Sequence, residues 1–233
     1  MKLIIFDLDQ TLVDFISVHN EVTQRLFKMF FDLDVRLTNI DFAGKSLNES
    51  FHELASLNNI PEDVFREKSH QLLESYETTF GESIPEDASK YILPGAQELL
   101  SELSKTDNIV VLYTGDSLGI VSHVFRATNL GKFFRFCLYG TEVENRADMV
   151  RLAIEKAERL TGREFKDKNI VIIGDSIRDI ECGRQFNALT IAVTTGFHSE
   201  EELSKAGPDY LLKDLRDYRK VLETIGSNEN LTS

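Results

Sequence analysis

Two aspartates follow the first apolar segment of the chain and could carry out acid, base or nucleophilic chemistry. Residues 3–6 are apolar and partly β-branched, which predicts an interior strand of a parallel sheet. Asp7 and Asp9 come directly after it, and an extended backbone would point both carboxylates to the same face. Two like charges this close need a bound cation, a shared proton or free solvation. An ordinary acidic turn is the alternative for this segment alone.

A second apolar segment, 109–113, ends in residues that suit a phosphate group. Thr114 and Gly115 follow it and precede a predicted helix, so the hydroxyl and the free backbone amides could bind phosphate there. The alternative is a routine turn in which Asp116 or Ser117 caps the helix.

A third apolar segment, 170–173, ends near two more acids. Asp175 follows this segment and Asp179 comes one helical turn later. The alternatives are that Asp175 is a helix N-cap and that Asp179 is a solvated helix residue. Together with Asp7 and Asp9, however, four acids would meet at one edge of one sheet, and hard carboxylate oxygens of this kind suit Mg²⁺.

Arg146 is the candidate basic residue for a bound phosphate. It begins a predicted helix over 146–160, where the helix macrodipole disfavours a cation. A bound anion nearby would remove that penalty. The alternative is an exposed arginine that reaches Glu142 or Glu144.

Alternating strands and helices must position these residues. From residue 93 onward, short apolar segments alternate with helical patterns, which predicts an α/β fold: a doubly wound parallel sheet with right-handed crossovers. Between Phe15 and about Phe80 the apolar spacing is helical throughout. We therefore expect a Rossmann-like core, 1–14 and 91–233, and an inserted all-helical domain, 15–90.

Three helices are expected in the insertion. The first carries an apolar stripe that includes Val18, Val22, Leu26 and Met29, the second covers 46–57, and the third begins at Pro61 and ends before Gly81. Further strands are expected at 136–139, at 190–193 and after Asp209, and further helices near 117–129 and 176–186.

Composition limits the partners and the compartment. The 233 residues carry a formal net charge of −13, which argues against nucleic acids and anionic membranes as partners, so an anionic substrate needs a local cationic site. Cys137 and Cys182 are far apart and signal neither a disulfide nor a zinc site. The amino terminus lacks a secretory signal pattern, and a cytoplasmic location is expected.

Taken as a set, these motifs resemble those of the haloacid dehalogenase (HAD) superfamily across essentially the whole chain. Residues 6–12 resemble its first motif, in which the first acid is the nucleophile and the second is the general acid and base. Thr114 falls where the second motif binds phosphate, and 174–179 resembles the fourth motif, which holds Mg²⁺. The resemblance implies that the metal ligands are Asp7, the main-chain carbonyl of Asp9, and Asp175, with Asp179 as a supporting acid.

The third motif departs from the common pattern. Many relatives have a lysine followed by proline, whereas this chain offers Arg146-Ala147-Asp148; arginine is an accepted variant. The helical insertion resembles the family's C1-type cap, as in the phosphoglycolate-phosphatase-like branch.

The resemblance implies a phosphatase that forms an aspartyl-phosphate on Asp7 and uses Asp9 as the acid and base. Halide-displacing members usually lack the second acid and the phosphonate-cleaving branch replaces it, so both activities are disfavoured. A phosphomutase keeps both acids and stays open. A signalling receiver domain is roughly half as long and normally lacks the cap. A catalytically silent binding protein also stays open, although no key acid is missing.

The cap is expected to set the substrate, which we expect to be a small phosphorylated metabolite. Lys45, in the loop 44–46, and His19 are the candidate substrate contacts, with Asn20 and Arg25 behind them. The alternatives are a surface lysine and a solvated helix face. The chain is expected to be a monomer or a homodimer.

Overall fold

A parallel sheet organises the protein. The computed structural model describes residues 1–142 and 145–227, and within these residues six strands pair in the order β3-β2-β1-β4-β5-β6, every pair parallel. The strands are β1 (Leu3–Phe6), β2 (Ile109–Thr114), β3 (Phe136–Tyr139), β4 (Ile170–Gly174), β5 (Leu189–Val193) and β6 (Tyr210–Leu212). The predicted α/β fold is confirmed.

Helices cover both faces of the sheet and form the insertion. Those of the insertion are α1 (Ile16–Phe31), α2 (Leu47–Leu57) and α3 (Glu62–Ser83). The others are α4 (Ala96–Leu103), α5 (Leu118–Thr128), α6 (Arg146–Thr161), α7 (Ile177–Gln185), α8 (Glu200–Ala206) and α9 (Tyr218–Ser227). Among the described residues, no helix combines the length and the apolar character that a membrane crossing requires.

β1 is the central strand, and its side chains alternate between two apolar clusters. Ile4 and Phe6 belong to the cluster that includes α4 and α5, whereas Leu3 and Ile5 belong to the one that includes α6. All four side chains are buried because both faces of a parallel sheet are covered by helices. This burial on both faces explains why β1 is apolar at every position.

The topology places the strand ends of interest side by side. β1 lies between β2 and β4, and Phe6 is in register with Leu112 on one side and Ile173 on the other. The chain runs outward from β1 to β3 and then crosses back to β4, so the strand order reverses at β1. Open α/β sheets bind ligands at such a switch point, beyond the carboxyl ends of the strands.

The helices of the insertion differ from the prediction in two details. Met29 does not belong to the buried stripe of α1, because its side chain is 66% exposed and Phe27 is buried instead. α3 does not end before Gly81 but continues to Ser83. Gly81 is a glycine inside this helix because the ring of His123 on α5 occupies the space that a Cβ there would fill. The glycine thus serves a close helix contact rather than a helix end.

α8 is a helix that the sequence prediction missed. Ser199 caps it, since its hydroxyl accepts a hydrogen bond from the Glu202 amide and the Glu202 carboxylate accepts one from the Ser199 amide. The boundaries of the insertion at 15 and 90 stay a prediction, because one apolar cluster runs without interruption from α1 and α3 into α4 and α5.

Candidate active site

The first motif lies where β1 ends. The Asp7 amide donates to the Ile173 carbonyl over 2.9 Å, which extends the pairing of β1 with β4 by one residue and fixes the aspartate at the sheet edge. The side chain of Asp7 is buried, and that of Asp9 is about 25% exposed. Asp9 and Val13 form an isolated parallel bridge, so the chain makes a tight loop directly after the second acid.

Arg146 is buried against the acids rather than exposed at a helix end. Its guanidinium donates to Asp7 through Nη2 and to Asp179 through Nε, the latter over 2.7 Å, and it stacks on the Tyr113 ring with Cζ 4.1 Å from the centroid. These two carboxylates offset the helix-dipole penalty.

The exposed-arginine alternative for this residue is therefore wrong. Glu142 accepts a hydrogen bond from the Tyr139 amide and lies 3.5 Å from the Lys156 amine, so its contacts are elsewhere. Glu144, the other acid in that alternative, lies outside the described residues.

The fourth motif delivers two buried acids with different surroundings. The Asp175 carboxylate accepts a hydrogen bond from the Thr11 hydroxyl over 3.1 Å, and the N-cap of α7 is Ser176, so the alternative that Asp175 caps the helix is wrong. Asp179 is also buried, which excludes a solvated helix residue. It accepts from Tyr113 and Arg146 on Oδ1 and from the Ser176 amide and hydroxyl on Oδ2. Asp179 thus positions Arg146 and completes the capping box of α7 by accepting from the Ser176 amide.

These acids fit a magnesium ion. Asp7, Asp175 and Asp179 each offer a carboxylate oxygen, and the three atoms lie within 4.8 Å of one another. Burial raises the pKa of Asp7 to about 7 despite Arg146, and burial together with the charges of Asp7 and Asp179 raises the pKa of Asp175 well above its usual range. Because a cation would relieve this repulsion and Mg²⁺ prefers oxygen ligands, the chemistry of the set suits that ion. Asp179 already accepts four hydrogen bonds, so Asp7 and Asp175 are the better direct ligands.

The second motif closes the site from β2. Thr114 is buried, and its hydroxyl oxygen accepts from the Asp116 amide over 3.2 Å. Ser117 caps α5, whereas the Asp116 side chain lines the cavity. A Cβ on Gly115 would overlap the carbonyl of Lys45, so the glycine permits the insertion to approach the core.

The insertion adds His19 and Lys45 to the same cavity. The Nε2 atom of His19 lies 3.5 Å from Asp9 Oδ1, and the imidazole is buried. Lys45 is paired with Glu53, and its side chain is only 15% exposed, which excludes a free surface lysine. Asn20 instead accepts hydrogen bonds from Thr38, and the exposed Arg25 does not line the cavity.

The result is one small cavity of about 60 Å³ between the sheet edge and the insertion. It brings together the site residues that the sequence predicts in the α/β domain, except Asp179, which is buried and does not line the cavity. The cavity-lining residues of both parts are Asp7, Asp9, Thr114, Gly115, Arg146, Asp175, His19 and Lys45.

The haloacid dehalogenase-like hydrolase family matches residues 4–193 of the sequence. The chain belongs to this family. Among its HAD relatives, the phosphoglycolate phosphatase of Synechococcus elongatus is 26% identical over 156 residues, covering 66% of this chain and 69% of that protein. The pyrophosphatase PpaX of Oceanobacillus iheyensis is 26% identical over 242 residues, covering 98% of both.

Solved structures show the same HAD fold. The beta-phosphoglucomutase of Clostridium difficile superimposes with a TM-score of 0.80 at 19% identity, covering 98% of this chain and 99% of that one. A hydrolase from Pseudomonas syringae gives a TM-score of 0.72 at 21% identity, covering 97% and 99%. At these identities the likeness concerns the fold alone.

Three residues at this HAD site were not predicted from the sequence. Tyr113 supports Arg146 by stacking, and the available signal is a hydroxyl-bearing side chain that follows four apolar residues in β2. Gly196 admits the Asp175 carboxylate, since a Cβ there would overlap Oδ2. The sequence pattern gives Asp116 only as a candidate helix cap. Burial and the neighbouring Asp9 charge raise the pKa of Asp116 well above its usual range.

Proposed function

We propose that this chain is a Mg²⁺-dependent phosphatase that hydrolyses a small phosphate monoester through an aspartyl-phosphate intermediate. Asp7, Asp9, Thr114, Arg146 and Asp175 line one cavity, and this arrangement carries the proposal. Relatives named phosphoglycolate phosphatase and pyrophosphatase support phosphate chemistry. A nucleophile, an acid, a fixed cation and metal-ligating carboxylates are the groups that phosphoryl transfer to a carboxylate requires.

The phosphate group binds at the ends of β2 and α6. The Thr114 hydroxyl accepts from the Asp116 amide, so its own hydrogen is available to donate to a phosphate oxygen. Arg146 uses Nε and Nη2 for the carboxylates, which leaves Nη1 available to donate to a phosphate oxygen. The Gly115 amide and the amino end of α5 add backbone donors.

Asp7 attacks phosphorus, and Asp9 protonates the leaving oxygen and then deprotonates the water that hydrolyses the intermediate. In the metal-free protein, burial raises the pKa of Asp7 to about 7. Burial also acts on Asp9, but His19 and Asp116 outweigh it and hold the pKa of Asp9 below its usual value. The two roles require the opposite order of pKa values, because Asp7 must be ionised and Asp9 protonated when the ester binds. Mg²⁺, when bound by Asp7, Asp175 and the Asp9 carbonyl, supplies the charge that keeps Asp7 ionised. A dianionic ester beside Asp9 raises the pKa of that acid.

The insertion selects the leaving group. The cavity is small and partly apolar, and its lining includes Lys45 of the insertion, whose amine is paired with Glu53. A leaving group that carries its own carboxylate or phosphate can exchange with Glu53 on Lys45. We therefore propose a small anionic phosphate ester, and Lys45→Ala should lower kcat/KM for such esters more than for p-nitrophenyl phosphate. Lys28→Ala, which changes an exposed lysine of the same insertion, is the matched control. Equal kcat/KM values across the panel would exclude this role.

The test is phosphate release from p-nitrophenyl phosphate and then from 2-phosphoglycolate, pyrophosphate and hexose phosphates. Release should require Mg²⁺, stop with EDTA and be abolished in Asp7→Asn, with the fold preserved. Activity in Asp7→Asn close to that of the wild type would overturn the assignment of the nucleophile. Conversion of a hexose phosphate to its isomer without free phosphate would favour a phosphomutase instead. Failure of folded, Mg²⁺-loaded protein to act on any ester would favour a binding role.

We also propose that the protein acts in the cytoplasm. Cys137 and Cys182 are both unpaired thiols, as is usual in a reducing compartment. Fractionation of cells that express the natural protein would test this, and recovery in a secreted fraction would contradict it.

A further inference from the structure

A second cluster of ligand atoms lies beside the proposed magnesium site. It consists of Asp9, His19 and Asp116, and one carboxylate oxygen or imidazole nitrogen of each lies within 4.8 Å of the others. His19 is 4% exposed and Asp116 is 5% exposed. The first cluster contains oxygen ligands alone, whereas this one also offers an imidazole nitrogen, from His19 of the insertion.

Two oxygen atoms of this cluster are buried without a hydrogen-bond partner. They are Oδ1 of Asp9 and Oδ2 of Asp116, and both residues lie fully within the described part of the chain. A buried acceptor that is left unsatisfied destabilises a fold by about 1–3 kcal/mol, and by more when it is charged. A cation bound between them, or a proton shared between the two carboxylates, would satisfy both atoms.

The hydrogen bonds of His19 prepare its other nitrogen as a ligand. The Tyr76 hydroxyl donates to the His19 carbonyl over 3.2 Å, so its oxygen is left to accept from Nδ1–H, which lies 2.9 Å away. This geometry allows the tautomer with the hydrogen on Nδ1, in which the Nε2 lone pair is free for a bound ion. Metal-binding histidines are oriented in this way by a partner on the other ring nitrogen.

The spacing also fits a bound ion. Nε2 of His19 and Oδ1 of Asp9 are 3.5 Å apart. Ligands at about 2.0–2.1 Å from a tetrahedral Zn²⁺ are separated from one another by roughly 3.3 Å. The two atoms thus need only a small adjustment to share one ion.

We propose that Asp9, His19 and Asp116 form a second divalent-cation site, which takes ions of the Zn²⁺ and Co²⁺ class rather than Mg²⁺. Imidazole with carboxylates favours these ions, whereas Mg²⁺ selects oxygen ligands. An ion there occupies the carboxylate that serves as acid and base in the proposed function, so the site is inhibitory. The inhibition rests on the proposed function, but the binding itself does not.

The binding test is calorimetric and needs no substrate. Metal-stripped full-length protein in excess Mg²⁺ is titrated with Zn²⁺, and with Co²⁺ while its visible absorption is recorded. The wild type should bind one Zn²⁺ in addition to Mg²⁺, and His19→Ala and Asp116→Asn should each weaken binding at least tenfold. Tyr76→Phe should weaken it about tenfold by removing the partner of Nδ1. His52→Ala, which removes an exposed histidine 2.7 Å from Glu62, should have no effect.

Equal Zn²⁺ affinity in the wild type, His19→Ala and Asp116→Asn would overturn the proposal, as would an equal loss in His52→Ala. The absence of Zn²⁺ binding to the wild type would also overturn it and would favour a shared proton within the cluster instead. If His19→Ala does not fold, Asp116→Asn and Tyr76→Phe decide the question. In an active preparation, Zn²⁺ should inhibit at constant Mg²⁺, and Tyr76→Phe should require about tenfold more Zn²⁺ for the same inhibition. A protein without phosphatase activity would leave the calorimetric result standing.

Discussion

Removal of the Arg146 guanidinium should destabilise the metal-free protein, and the loss should grow with pH. The guanidinium is buried, donates to Asp7 and Asp179, and stacks on Tyr113. In Arg146→Ala, Asp179 keeps its hydrogen bonds from Tyr113 and Ser176, but Asp7 loses its side-chain partner. Breaking a buried ion pair by removing one partner costs about 3–5 kcal/mol. At low pH Asp7 is protonated in the folded protein, so the pair that is broken there is Arg146–Asp179. Because Asp179 retains other donors, we expect the low end of this range, about 3 kcal/mol.

The pH dependence follows from the raised pKa of Asp7. In the folded wild type this pKa is about 7, against 3.8 for the exposed group, so wild-type stability falls as pH rises from the lower value through the higher one. Arg146 lowers the pKa of Asp7, and its removal therefore raises that pKa further. Above pH 7 the folded variant binds more protons than the folded wild type, and its stability falls faster by up to about 1.4 kcal/mol per pH unit.

The assay is urea unfolding in EDTA at about pH 5.5 and about pH 8.5. The decrease in the free energy of unfolding caused by Arg146→Ala should be larger at the higher pH by about 2 kcal/mol. Arg151→Ala is the matched control, because Arg151 lies on the same helix and pairs with Asp148 at the surface. Its loss should be below about 1 kcal/mol at both pH values. A loss in Arg146→Ala that equals the control, or one that shrinks as pH rises, would refute the reasoning.

Three further substitutions test the metal site and the contact with the insertion. At 100 times its Kd, Mg²⁺ should raise the free energy of unfolding of the wild type by about 2.7 kcal/mol, and Asp175→Asn should lose more than half of this gain in urea titrations. Gly115→Ala should lower kcat/KM at least tenfold, because its Cβ would displace the Lys45 carbonyl. Arg178→Ala should lower kcat/KM about tenfold with little change in unfolding, because Arg178 donates to the Ala43 carbonyl over 2.6 Å and holds the loop against the core.

Each of these substitutions has a control on the same kind of element. Asp148→Asn changes a surface acid and should retain the Mg²⁺ effect, Gly226→Ala places a Cβ in open space, and Arg184→Ala removes an arginine of α7 that contacts α8 instead. An unchanged Mg²⁺ effect in Asp175→Asn would remove that residue from the metal site. Kinetic constants that match these controls in Gly115→Ala or Arg178→Ala would show that the position of the loop does not matter for catalysis.

The strands and the grouping of their terminal residues could be predicted from the sequence, because both depend on local pattern. A continuous apolar run such as 3–6 reports a strand covered on both faces, and parallel strands bring their carboxyl ends to one edge. That rule alone predicts that Asp7, Thr114 and Asp175 lie at the same edge of the sheet. Their placement in a single cavity needed no knowledge of individual contacts.

Other features depend on contacts between residues far apart in the chain, which local pattern does not report. In the sequence Gly81 resembles a helix end, but in the structure the His123 ring fills the space that a Cβ at this position would occupy. Arg146 resembles an unfavourable cation at a helix start, but Asp7 and Asp179 lie beside it and accept its hydrogen bonds. Asp116 fits a helix cap by position, but the adjacent serine takes that role and frees its carboxylate for the cavity.

The most direct test of the central claim is to trap phosphate on Asp7. A radiolabelled phosphate ester that the protein hydrolyses is mixed with Mg²⁺-loaded protein, quenched in acid within one turnover, and the labelled peptide is identified. The account predicts acid-stable, hydroxylamine-labile label on the peptide that contains Asp7, and none in Asp7→Asn. Label on another residue, or hydrolysis within one turnover without any labelled protein, would contradict it.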